Sequence, residues 1–123
     1  MSDKPLHNGA SPLTHALGFV GEEGNEIAQE IFKILRFGLL DKRPSAPDAD
    51  CNLKLLQKEL WDLVATVRVV NMELEALGLE TLTLDNENAI QNKITKLAYY
   101  GHRALRNGTL AAPLLIMPTQ SPE

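Results

Sequence analysis

The segment from Asp50 to Leu77 constrains this chain more than any other, because it carries apolar residues on nearly every side of a helix. Leu53, Leu56, Leu60, Leu63, Val64, Val67, Val70, Met72 and Leu74 surround most of its circumference. A helix dressed in this way is central and touches several neighbours. Asp50 is placed to cap its start, and Gly78 stops it. The chain has only three long helical segments, so some of those neighbours are expected from another protomer.

The flanking segments are helical by the same signals. Ser11 followed by Pro12 is a capping hydroxyl before a proline at the first helical position. The helix it opens runs to about Phe37, with Leu13, Leu17, Val20, Ile27, Ile31 and Ile34 spaced for one buried face, and Gly38 ends it. Gly24 falls on this apolar stripe, where it either lets a neighbouring helix approach closely or simply weakens the helix. A third helix is expected from about Asn86 to Asn107, ahead of Gly108, with Ile90, Ile94, Leu97, Ala104 and Leu105 as its core stripe.

The fold class is therefore all-α: an antiparallel bundle of three main helices, completed by oligomerisation as a homodimer or homotetramer. Residues 1 to 11 form a flexible arm, residues 12 to 107 the helical domain, and residues 108 to 123 a proline-containing tail that wraps over a neighbour or stays mobile. Residues 39 to 50 are a connecting loop with two prolines and mixed charge. Its Lys42 and Arg43 either touch an anionic ligand or are solvated.

A net charge of -4 argues against a broad nucleic-acid surface, which needs Lys and Arg to neutralise phosphates. The single Cys51 cannot form an internal disulfide and is expected to be inert. No apolar run reaches the length of a membrane span, and the Met-Ser-Asp-Lys-Pro start lacks a signal-peptide core. The expectation is a cytoplasmic protein with no membrane partner.

Two acidic clusters interrupt the apolar helices. The first is Glu22-Glu23-Gly24-Asn25-Glu26, with Glu30 one turn later; the second is Glu59-Leu60-Trp61-Asp62. Residues three or four apart share a helix face, so Glu23 converges with Glu26 and Glu59 with Asp62. The second pair lies on the stripe Leu55, Glu59, Asp62, Thr66 and Val69, which turns it inward or toward a cleft. Ionised carboxylates there need a compensating cation. Oxygen ligands without His or Cys suit Mg²⁺ or Mn²⁺, ions that commonly meet substrate phosphates.

The pattern Glu-Glu-x-x-Glu followed by Glu-x-x-Asp on two helices resembles the MazG-like all-α nucleoside triphosphate pyrophosphohydrolase superfamily, which includes all-α dUTP and dCTP hydrolases. The text from Gly21 to Ile27, with Lys33 and Leu35-Arg36-Phe37-Gly38, is similar to the first catalytic helix of its small members. The likeness covers roughly residues 12 to 107. It implies a Mg²⁺-dependent hydrolase acting on the α-β phosphoanhydride bond of an NTP or dNTP, releasing the monophosphate and pyrophosphate, in the clearing of unwanted nucleotides. Metal ligands would be Glu23, Glu26, Glu59 and Asp62, with Glu22 or Glu23 assisting deprotonation of the attacking water. Substrate contacts would come from Lys33 and from the third-helix residues Asn92, Lys93, Lys96, Tyr99 and Arg103. Lys33 has an alternative, a surface pair with Glu30.

Other residues have plainer expectations. Trp61 belongs to the core rather than to a base-stacking platform, and His15 and His102 are ordinary exposed or partly buried residues. Glu22 and Glu30, taken alone, belong to a solvated face. A di-iron carboxylate bundle would need Glu-x-x-His pairs, and the chain has none. A non-enzymatic helical adaptor would explain the apolar central helix but not inward-facing acids.

Overall fold

The computed structural model describes residues 10 to 46 and 48 to 117. The regular structure among them is helical throughout: α1 at Pro12–Phe37, α2 at Asn52–Ala76 and α3 at Glu87–Arg106. Most of the expected N-terminal arm and the last residues of the tail lie outside the described residues. The chain falls into two compact units, one up to Leu82 and one from Thr83. No described helix is long and apolar enough to cross a membrane.

In the first unit α1 packs on α2. Ser11 Oγ accepts the Thr14 amide at 3.1 Å with Pro12 at the first helical position, and Gly38 leaves the helix at φ 100°. The start of α2 is built differently from the expectation. Asp50 does not cap it; its carboxylate binds Lys58 Nζ at 2.6 Å instead. That hydrogen bond lowers the Asp50 pKa and raises that of Lys58. Cys51 occupies the cap position without a side-chain bond. Loop carbonyls take over the work: the Asn52 amide donates to Asp41 O at 3.0 Å and the Leu53 amide to Leu39 O at 2.9 Å. Two of the otherwise unpaired donors of the first turn are thus satisfied by backbone, and a side-chain cap for them is dispensable.

The far end of α2 closes on Gly78 at φ 71°, with the Leu79 amide reaching back to Leu74 O at 3.0 Å and the Gly78 amide to Glu75 O at 2.9 Å. This six-to-one and five-to-two pairing requires the left-handed residue between, which glycine adopts without strain. Beyond it the Asn71 side chain holds Leu82 by both backbone groups, donating to its carbonyl at 3.0 Å and accepting its amide at 2.8 Å.

The apolar circumference of α2 is covered unevenly. Val67 and Val70 are buried, whereas Leu53, Leu60 and Met72 are exposed. Trp61 is 64% exposed and is not a core residue. Gly24 makes no close approach either, since a Cβ there would meet nothing within 4 Å. It is a locally weak point of α1, not a packing notch.

In the second unit Asn86 caps α3 by accepting the Ala89 amide at 3.0 Å. The covered positions of α3 are Ala98, Gly101 and His102, while Ile90 and Leu97 of the expected core stripe are exposed. The first part of the tail folds back onto its own helix. A Cβ on Gly101 would lie 2.8 Å from Met117 Sδ and 3.3 Å from Leu114 Cδ1, so this glycine is where close packing is needed. The turn holding Met117 is closed by its amide bonding to Leu114 O at 3.0 Å and by the Leu114 amide bonding to Met117 Sδ at 3.2 Å. Gly101→Ala gains about 1 kcal/mol of helix propensity but must displace the thioether. The expected result is a released tail with overall stability near wild type, read as faster hydrogen exchange at the Met117 amide. Unchanged protection there would show that the thioether yields without opening the turn.

Candidate functional site

Helical periodicity places Glu23 and Glu26 on one face of α1 and Glu59 on the face of α2 that meets it. One carboxylate oxygen from each of the three lies within 4.8 Å of the others. Glu23 and Glu59 are half-buried and Glu26 is exposed. One oxygen of Glu23 and one of Glu59 are buried without a hydrogen-bond partner.

This proximity perturbs the acids. The Glu26 pKa is raised, first by a hydrogen bond shared with Glu59, then by repulsion from Glu59 and by burial, with Asp62 and Glu22 adding smaller repulsions. The Glu59 pKa is raised chiefly by burial and by its contact with Glu23, although sharing a proton with Glu26 partly offsets this. Without a cation these groups are held close against mutual repulsion, and protonation is their only relief.

The other expected ligands and contacts divide. Asp62 is exposed and lies outside the three-carboxylate group, but its charge is felt by both Glu26 and Glu59. Glu22 is exposed. Lys33 takes the alternative left open for it, binding Glu30 Oε1 at 2.9 Å. Glu30 is not part of a solvated face: it is buried, with its second carboxylate oxygen unpartnered. Asn92, Lys93, Lys96, Tyr99 and Arg103 are all exposed residues of α3, in the second unit, and Tyr99 meets Tyr100 edge to face at 5.7 Å. His15 is exposed against Phe19, whereas His102 is buried with Nε2 unpartnered, contrary to expectation.

The donor set fits a hard divalent cation. Three carboxylates supply only oxygen, and two of them present buried oxygens that a cation would satisfy. Comparison with protein-family models, with curated proteins and with solved structures gives no match for this chain.

Proposed function

We propose that the protein is a Mg²⁺-dependent nucleoside triphosphate pyrophosphohydrolase. The observation that carries this is the convergence of Glu23, Glu26 and Glu59 from two helices, with buried oxygens on Glu23 and Glu59 left unsatisfied. The two-part acidic motif that resembles the MazG-like superfamily supports the same assignment. Mn²⁺ fits the same donors.

In this reaction the three carboxylates would hold the cation, and Asp62 would add charge one turn beyond Glu59. A cation held there would supply charge to neutralise phosphate oxygens and to make an attacking water more acidic. Glu22 or Glu23 accepts a proton from the attacking water. The resemblance also implies phosphate contacts from Lys96 and Arg103, with Asn92, Lys93 and Tyr99 as further substrate-binding residues. Two copies or four assemble as a cytoplasmic homo-oligomer, and α1 and α2 run antiparallel. Support for the latter lies in the pairings, since Glu26 meets Glu59 while Gly38, further along α1, meets Asn52 at the start of α2.

A helical adaptor would account for exposed apolar residues such as Leu35 and Met72 but gives the converging acids no role. Screening ribo- and deoxynucleoside triphosphates for pyrophosphate release with Mg²⁺ tests the proposal. At least one should be turned over, and titration with Mg²⁺ alone should give saturable binding. Absence of both would leave the adaptor. Lys96→Ala and Arg103→Ala should each raise KM about tenfold, the value of a charged hydrogen bond, with melting temperature near wild type. Unchanged KM in both would make that stripe a solvated face.

A further inference from the structure

The first unit contains a second feature, distinct from the acidic cluster. Where the end of α1, residues 38 to 44 and the start of α2 meet, they enclose a cavity of about 370 Å³ lined by Lys33, Phe37, Arg43, Pro44, Asn52 and Leu55, with Asp41 on its wall. That volume is at the lower end of the range for small-molecule sites. We infer that this cavity is the nucleobase subsite of the nucleotide whose phosphates the acidic cluster handles, a placement that rests on the hydrolase proposal.

Position, shape and polarity each point this way. Leu55 precedes Glu59 by one helical turn and Lys33 follows Glu26 by about two, so the cavity lies roughly 6–10 Å along the helices from the cluster. A base and its own phosphates are separated by a distance of that order. Phe37, Pro44 and Leu55 offer flat or apolar walls, and the Phe37 ring is 59% exposed, with the Arg36 guanidinium 5.9 Å from its centroid. The charges are nearly balanced: Arg43 makes no ion pair among the described residues, Lys33 is committed to Glu30, and Asp41 is a carboxylate. A phosphate would be repelled by Asp41 and gain little from a neutralised Lys33. A neutral ring suits such a lining better.

Asn52 supplies the recognition. It is 8% exposed, and its Nδ2 donates to Gly38 O at 3.0 Å. A carbonyl can only accept, so this bond fixes which end of the amide is nitrogen. The Asn52 Oδ1 is then the remaining group, an acceptor with no protein partner among the described residues. It matches a ring N–H or exocyclic amino group, the donor that every nucleobase carries on its pairing edge.

The test is a titration of the full chain, without metal, with the four deoxynucleoside 5′-monophosphates, followed by amide NMR. At least one should shift the signals of Phe37 and of the Asn52 side chain. Phe37→Ala should weaken that ligand about tenfold, as expected for loss of a stacking face. The best ligand with every pairing-edge N–H replaced by N-methyl should also bind at least fivefold more weakly. Phe37 is exposed, so the variant is expected to fold, and its amide spectrum checks this. The inference is overturned if no monophosphate moves those signals, or if the variant and the methylated ligand bind like their parents. Pyrophosphate release with Mg²⁺ is a separate readout. Monophosphate binding without hydrolysis keeps the base subsite and removes the hydrolase, whereas hydrolysis without a response at Phe37 does the reverse.

Discussion

Replacing Glu59 by glutamine is expected to cut pyrophosphate release severely while leaving the metal-free protein as stable as wild type or more so. Glu59 is held above its ordinary pKa by burial and by contact with Glu23, and Glu26 by its hydrogen bond to, and repulsion from, Glu59. A carboxyl group with a raised folded-state pKa adds stability that is complete below the unfolded value and is lost as pH rises through the folded value. The metal-free wild type should therefore lose melting temperature as pH increases across that window, and Glu59→Gln should flatten the loss. Mg²⁺ should raise the wild-type melting temperature by mass action and the variant's much less. Removal of a direct ligand should reduce activity on the order of a hundredfold or more, since even side chains that only hold a ligand in place account for as much as a hundredfold in affinity or activity. If the metal-free variant unfolds and millimolar Mg²⁺ does not stabilise wild type, the cluster is structural and the hydrolase proposal fails.

Sedimentation at micromolar concentration is expected to show no monomer. Phe32 and Leu35 on α1 are 66% and 75% exposed, and Trp61 and Met72 on α2 are 64% and 68% exposed. Burying one such side chain is worth about 1.5–3 kcal/mol, and a symmetric interface counts each residue twice. Leu35→Glu replaces one of these gains with a buried charge in each copy, so the dissociation constant should rise by about a hundredfold or more. Glu26 and Glu59 are unaltered in that variant, and Mg²⁺ titration of the dispersed chain would show whether the cation site needs the assembly. A well-folded wild-type monomer at micromolar concentration would refute the oligomer.

Local signals carried most of the secondary structure. Ser11-Pro12, Gly38, Gly78 and Asn86 each act on their own turn, and each is found at a helix end. Asp50 has a capping residue's local sequence but not its role, because groups outside that turn decide it: Lys58 takes the carboxylate, and the carbonyls of Leu39 and Asp41 satisfy the helix start. The acids Glu23, Glu26 and Glu59 were legible because periodicity and pairing agree, whereas nothing in their spacing shows that Asp62 stays outside the cluster. Periodicity also has least to say about a helix that is apolar on all sides. Trp61 and Val70 carry the same signal, yet one is exposed and the other wholly covered. Of the two roles open to Gly24 the structure leaves the weak point in α1, while the close approach is made at Gly101, whose partners Leu114 and Met117 lie in a segment without helical pattern.

The amide of Asn71 occupies both backbone groups of Leu82, so the end of the first unit is tied to its own α2. Residues 77 to 90 are exposed throughout. A protease cutting just after Leu82 would meet accessible backbone and leave behind no buried unpaired group, while Glu23, Glu26 and Glu59 all stay on the same fragment. Nicking at this point would therefore leave intact the pair of helices that builds the acidic cluster, and fusion or insertion is tolerated best at the same place.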